Sequence, residues 1–334
     1  MAESIAVIGG GSWGTALARV LAERGPVRVW MRQSEAVESF NRSHENSRYL
    51  PGIRLPDAVS ATADIAEAVR GAPAVVAVVP SHGMRQAMTE VARHISPDTV
   101  VISASKGIEQ ESLALMSDVL LQVLPEANRS KLAFLGGPSF AKEVMLGQPT
   151  AVSVASLDPA VAHRAQELFA TSAFRVYSTD DVVGIEIGGA VKNVIAIAAG
   201  AADGLGFGHN TRAAIITRGL AEISRLALRK GANPLTLAGL SGLGDLVLTC
   251  TGDLSRNRTV GIELGKGRTI EDVLASMKQV AEGVRTTKSV HDLARKVGIE
   301  MPITAQVHAM LYGGQPAKEA VAELMGRALR AERG

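Results

Sequence analysis

Ile5-Ala6-Val7-Ile8-Gly9-Gly10-Gly11-Ser12-Trp13-Gly14 is the stretch that decides the fold. A short β-branched run leads into G-x-G-x-x-G, and a helical pattern, Ala16-Leu17-Ala18-Arg19-Val20-Leu21, follows. Each glycine has its own physical role. Gly9 permits the tight turn out of the strand, Gly11 leaves room for a pyrophosphate against the backbone, and Gly14 lets the helix pack close to the sheet. The helix then offers free N–H groups and the positive end of its dipole to the phosphates. The spacing predicts a dinucleotide-binding turn. The competing reading is a glycine-rich turn of purely structural purpose.

Further on, the second strand reads Val27-Arg28-Val29-Trp30 and runs into Met31-Arg32-Gln33. An acid here would hold the ribose hydroxyls of NAD, and none is present. Arg32 stands where a guanidinium can meet a 2′-phosphate. The expected cofactor is therefore NADPH/NADP+, with NADH/NAD+ also used. The alternative leaves Arg32 a solvated surface residue.

With 334 residues, 46% of them hydrophobic, the chain can form two sizeable cores. Lys plus Arg number 35 against 33 Asp plus Glu, a net charge of +2, and no basic block stands out. That balance argues against nucleic acid as a partner. The single cysteine, Cys250, excludes an intrachain disulfide and fits a reducing, cytoplasmic setting. No signal peptide is expected, because the first strand begins within the first few residues. The longest apolar run, Ile187 to Ala202, contains Lys192 and Asn193 and is short for a membrane span. It reads as a buried helix. The seven histidines show no ligand spacing, so no metal site is expected.

In the first half, strands alternate with helices. Near-continuous apolar runs at 74–79, 99–103 and 131–135 predict strands buried on both faces, hence a parallel sheet. Further strands are expected at 150–155 and 174–178, and helices at 113–124 and 158–171. The pattern predicts an α/β, doubly wound, mostly parallel sheet of the Rossmann type. After about Asp181 helical periodicity dominates, over 182–202, 213–230, 270–277, 287–297, 305–311 and 317–330. The expected division is a nucleotide-binding domain over 1–185 and an all-α domain over 186–334. A helical domain with much apolar surface suggests a homodimer.

Ligands in such folds sit outside the carboxyl ends of the strands. Pro80-Ser81-His82, Ser105-Lys106-Gly107 and Gly136-Gly137-Pro138-Ser139-Phe140-Ala141 all fall there. In the second half, Lys192 interrupts an apolar helix. Burial would lower its pKa and suit it to proton transfer, whereas a helix packed on one side would let it reach solvent. Asp245, in Gly242-Leu243-Gly244-Asp245-Leu246, can pair with Lys192, hold a substrate hydroxyl or cap a helix. Ser255-Arg256-Asn257-Arg258 suits a phosphate, or is an exposed polar loop. Gly200 to Gly208 reads as a mobile helix-connecting loop.

Together these residues resemble the bacterial-type NAD(P)-dependent sn-glycerol-3-phosphate dehydrogenases over essentially the whole chain. The carriers are Gly9 to Ala18, Ser105-Lys106-Gly107, Gly137 to Ala141, Gly188-Gly189-Ala190-Val191-Lys192-Asn193 and Gly242 to Leu246. Thr249-Cys250-Thr251, Ser255-Arg256-Asn257 and Glu282-Gly283 complete the set. The resemblance implies a Rossmann domain followed by a helical domain like that of 6-phosphogluconate dehydrogenases. It implies reversible reduction of dihydroxyacetone phosphate to sn-glycerol 3-phosphate, feeding phospholipid synthesis.

Position by position, the resemblance implies Lys192 as the acid/base. It implies Lys106, Gly137, Ser139, Lys192, Asp245, Ser255, Arg256 and Asn257 as substrate contacts. Cofactor contacts are implied at Ser12, Trp13, Arg32, Tyr49, Lys106, Ala141, Arg256, Val280 and Glu282, beside Gly9, Gly11 and Gly14 of the turn. Arg32 stands where several relatives have His. The implied chemistry is consistent: hydride addition to a carbonyl leaves an alkoxide that needs a proton, and an ammonium supplies both proton and charge. The alternatives are a hydroxyacid dehydrogenase of the same architecture, with a carboxylate in place of the phosphate, and a nucleotide sensor without turnover.

Overall fold

The computed structural model describes residues 3–277, 281–329, 331 and 332. Eight strands form one sheet: β1 (Ile5–Ile8), β2 (Val27–Trp30), β3 (Val59–Thr62), β4 (Ala74–Ala77), β5 (Val100–Ser103), β6 (Leu132–Gly136), β7 (Thr150–Ala155) and β8 (Phe174–Thr179). Their order is β3-β2-β1-β4-β5-β6-β7-β8. Neighbours pair in parallel except β6 with β7, which run antiparallel. The expected mostly parallel, doubly wound sheet is thus present, and its order reverses between β1 and β4.

Alternation along each strand feeds two cores. Val7 joins Val29, Val76 and Ile102 on one face; Ala6 and Ile8 join Val75, Ala77 and Val101 on the other. The flanking helices are α1 (Ser12–Leu21), α2 (Ser34–Ser43), α3 (Ile65–Val69), α4 (Ser81–Val91), α5 (Met116–Val123), α6 (Glu126–Arg129), α7 (Ala141–Met145) and α8 (Pro159–Phe169). Helix α5 starts later than the periodicity predicts, because Leu113 takes a left-handed φ of 60°. Strand β3 has no sequence expectation behind it. Its four residues, Val-Ser-Ala-Thr, lie at the sheet edge and carry too little apolar bulk to stand out.

The rest of the described chain is helical: α9 (Val182–Gly204), α10 (His209–Arg229), α11 (Pro234–Ala238), α12 (Asp245–Thr251), α13 (Arg256–Gly265), α14 (Ile270–Ser276), α15 (Glu282–Val297), α16 (Pro302–Tyr312) and α17 (Ala317–Met325). A single wide turn with π-type geometry, Leu240–Gly244, leads into α12. Helix α9 is the axis of this part. Among the described residues it is the one helix long and apolar enough to cross a membrane, yet it is buried inside the protein as its central core helix. Helix α15 begins a turn before its predicted start, and α17 ends at Met325.

The expectation of a connecting loop from Gly200 is corrected here. Gly200 and Gly204 lie in α9 and cross Gly261 and Gly265 of α13. A Cβ on Gly200 would stand 2.1 Å from the Arg258 carbonyl oxygen, and one on Gly261 2.0 Å from that of Ile197. The glycines let two helix backbones touch, which fixes where α13 begins.

Candidate active site

At the carboxyl end of β1 the chain turns through Gly9, whose φ is +124°. A Cβ there would stand 2.8 Å from the Val78 carbonyl oxygen, and one on Gly14 only 1.8 Å from that of Gly9. Both positions are closed to any side chain. Gly11 is different: a Cβ would meet nothing within 4 Å. Its missing side chain therefore leaves open space above the turn, as close approach of a pyrophosphate requires. Gly11 is also the N-cap of α1 and caps no N–H with a side chain, so the helix keeps donors for an anion. The indole Nε1 of Trp13 is buried without a partner among the described residues. These residues fit a dinucleotide. Asn46, which the sequence reading passed over, braces the turn: its amide donates to the Gly10 carbonyl at 2.9 Å and to Thr15 Oγ1 at 2.7 Å.

A cleft of about 670 Å³ opens from this turn and runs between the sheet edge and the helical domain. Ser12, Trp13, Tyr49, Lys106, Ser139, Ala141, Lys192, Ser255, Arg256, Asn257 and Glu282 all line it. Gly137 and Asp245 lie directly behind the lining, bonded to Lys106. Arg32 is exposed beyond the end of β2 and does not line the cleft. Val280 falls outside the described residues.

The centre of the cleft is a bridge of charges. Asp245, 1% exposed, opens α12. Its Oδ1 accepts from Lys192 Nζ at 2.5 Å and its Oδ2 from Lys106 Nζ at 2.7 Å. Lys106 also donates to the Gly137 carbonyl at 3.2 Å. Lys192 also donates to Thr249 Oγ1 at 2.8 Å, and that hydroxyl donates to the Asp245 carbonyl one helical turn back at 2.6 Å. Thr249 carried part of the family resemblance but was given no role in the sequence; its signal was the i, i+4 spacing from Asp245. The two readings of Lys192 are now resolved: it is 6% exposed and does not reach out to solvent. An ammonium has three N–H donors. Lys192 uses two on Asp245 and Thr249, which leaves one for a ligand in the cleft.

Burial pushes the Lys192 pKa down to about 8; Asp245 opposes the fall and Lys106 adds to it. Burial likewise raises Glu282 above the usual carboxylate range, against the pull of Arg256, Lys106 and Lys192. The adjoining Cys250 thiol is pushed up to about 12 by burial, so it stays protonated.

At the far end, Ser255 caps α13, accepting from the Arg258 N–H at 3.3 Å. Among the described residues its hydroxyl proton has no acceptor. Arg256 is exposed at the first helical position. Asn257 ties three helices: Nδ2 donates to Asn193 Oδ1 and Oδ1 accepts from the Gly283 N–H, each at 2.9 Å. Asp203 fixes the helix start by binding Arg258 at 2.8 Å and Arg212 at 2.7 Å. A helix N-terminus, a hydroxyl and a guanidinium converge here, which is chemistry suited to a phosphate.

Comparison with known proteins agrees with this geometry. The model of the NAD-dependent glycerol-3-phosphate dehydrogenase N-terminus matches residues 4–162, and that of the C-terminus matches residues 181–322. A glycerol-3-phosphate dehydrogenase [NAD(P)+] from Geobacter sp. (strain M21) is 56% identical over 333 residues, covering 99% of each chain. One from Myxococcus xanthus is 54% identical over 327 residues, covering 98% of each. The crystal structure of glycerol-3-phosphate dehydrogenase from Coxiella burnetii superposes with a TM-score of 0.93 at 41% identity, covering 97% of this chain and 99% of that one.

Proposed function

The chain belongs to the NAD-dependent glycerol-3-phosphate dehydrogenase family, and we propose that it reduces dihydroxyacetone phosphate reversibly to sn-glycerol 3-phosphate with Lys192 as the proton donor. The observation that carries this reading is the bridge Lys106–Asp245–Lys192 at the centre of the cleft that starts at the glycine-rich turn. NADPH or NADH supplies the hydride when bound. Gly9, Gly11, Ser12, Trp13 and Gly14 would hold its pyrophosphate half; Tyr49, Ala141, Arg256, Val280 and Glu282 would hold the remainder.

The chain's own groups do the rest. Ser255, Arg256 and Asn257 bind the substrate phosphate, and Lys106, Gly137 and Ser139 position its carbon chain. Asp245 holds both ammonium groups, so their charge faces the carbonyl oxygen. As negative charge builds on that oxygen, the third N–H of Lys192 stabilises it and then transfers its proton. The O–H bond forms as the N–H bond breaks, and the amine regains a proton from solvent. In the oxidative direction the neutral amine takes the proton back. A Lys192 pKa of about 8 makes both forms accessible near neutrality.

Within this reading, residues 1–185 form the NAD(P)-binding domain and 186–334 the helical substrate-binding and catalytic domain, and the cleft draws residues from both. The enzyme acts in the cytoplasm as a homodimer and supplies glycerol phosphate for phospholipid synthesis. The deciding experiment follows NADPH absorbance with dihydroxyacetone phosphate, then repeats it with NADH. Oxidation of the cofactor with stoichiometric glycerol 3-phosphate is expected. Absence of turnover with both cofactors would refute the reading.

A further inference from the structure

Three cationic or protonatable side chains come from separate elements, two of them just beyond the carboxyl ends of β2 and β4. Arg32 follows β2, His82 opens α4, and Arg285 lies in the second turn of α15. All three are exposed. The elements that carry the last two approach one another at Gly107. A Cβ built on Gly107 would stand 2.6 Å from Ser81 Oγ and 3.7 Å from Thr286 Oγ1, so the start of α4 and the second turn of α15 close on the same point. Arg285 is also one turn beyond Glu282, which lines the cleft, and i, i+3 residues share a helix face.

Neither Arg32 nor Arg285 makes an ion pair or hydrogen bond among the described residues. Many other arginines of the surface do: Arg54 pairs with Asp57, Arg85 with Glu109 and Arg268 with Glu263. Pro80, the N-cap of α4, likewise caps no N–H with a side chain. Burial holds His82 below its usual pKa, and the positive charges of Arg285 and then Arg32 add to the effect, so both guanidinium groups act on the imidazole. Like charges kept together without a counter-charge are a receptor for a compact anion.

We infer that Arg285 joins Arg32 and His82 to form the receptor for the 2′-phosphate of NADP(H), so that the helical domain takes part in choosing the cofactor. The inference rests on the reading of this chain as an NAD(P)H enzyme, and it names a residue outside the glycine-turn domain. Two planar forks can share the three phosphate oxygens, while NADH offers only a ribose hydroxyl.

The test is fluorescence titration of the full chain with NADPH and with NADH, for the wild type, Arg285→Ala, Arg285→Lys and Arg32→Ala. Displacement of NADPH by adenosine 2′-monophosphate is measured alongside. Loss of a charge-assisted contact should weaken NADPH roughly ten- to hundredfold in Arg285→Ala. NADH affinity should change little, and displacement by adenosine 2′-monophosphate should weaken in step with NADPH. Arg285→Lys should fall between. Equal losses for NADPH and NADH, or no loss for NADPH, would overturn the assignment. Because binding is read directly, failure of the wild type to reduce dihydroxyacetone phosphate would sink the proposed reaction and leave this result standing.

Discussion

The glycine-rich turn and the buried lysine bridge line one cleft but are assembled in opposite ways. The turn is six consecutive residues, and its function follows from what glycine lacks. The bridge joins Lys106 behind β5, Lys192 in α9, and Asp245 and Thr249 in α12. Contiguous sites are encoded by backbone conformation, which neighbours in sequence control. Dispersed sites are encoded by packing, which places charged groups together only when several helices have docked. The first tolerates small changes elsewhere; the second depends on the α9–α13 and α9–α12 contacts.

The largest expected effect falls on the bridge. Lys192→Ala should lower kcat by roughly 10²–10⁴, the range for a positioned acid or base, with NADPH affinity retained. Lys192→Arg should restore little, since a guanidinium keeps the charge but gives up its proton poorly. Near wild-type single-turnover oxidation of NADPH by Lys192→Ala would remove the proton-donor role.

Next comes the phosphate end. Arg256→Ala should raise the KM for dihydroxyacetone phosphate roughly ten- to hundredfold. Unphosphorylated dihydroxyacetone should be affected far less. Steady-state kinetics on both substrates decide, and an unchanged preference for the phosphorylated one would count against the role.

The turn itself can be split into a folding and a binding part. Gly14→Ala forces a methyl to within 1.8 Å of the Gly9 carbonyl oxygen, so about 1–3 kcal/mol of stability should be lost, by analogy with overpacking. Gly11→Ala meets no protein atom within 4 Å. Its melting temperature should stay near wild type while NADPH binding weakens. Thermal unfolding and titration of the two variants separate these outcomes; a reversed pattern would break the contrast.

The smallest effect is a shift in pH dependence. On the proposed mechanism the reductive reaction uses the Lys192 ammonium, so its rate should fall as pH rises through about 8. The oxidative rate should rise through the same region. Asp245 raises the Lys192 pKa, so Asp245→Asn should move both limbs to lower pH. Unmoved limbs in that variant would mean another group titrates.

Much of the cofactor half was legible in the sequence. The β1 turn, seven of the eight strands and the strand-end positions of Lys106 and Ser139 follow from local pattern. Edge strand β3 did not, because a four-residue edge strand of small and polar residues has no strong period. Asn46 left no local trace of its role, since its partners Gly10 and Thr15 lie far back in the chain. Gly200 and Gly204 were misread because glycine signals a loop when the partner helix is unseen. Lys192 stood out as an anomaly in an apolar helix, yet its fate was open.

By itself the sequence determined the alternation of strand and helix, the tight-turn geometry of Gly9 to Gly14, the missing acid after β2 and the family resemblance. These depend on backbone sterics and on short-range periodicity. Only the tertiary structure decided that Lys192 is buried, that one carboxylate serves two lysines, and that the starts of α4 and α15 approach one another at Gly107. Burial and charge pairing are set by which surfaces meet in space. Desolvation then fixes the Lys192 pKa, and no local window of residues contains the atoms that exclude the water.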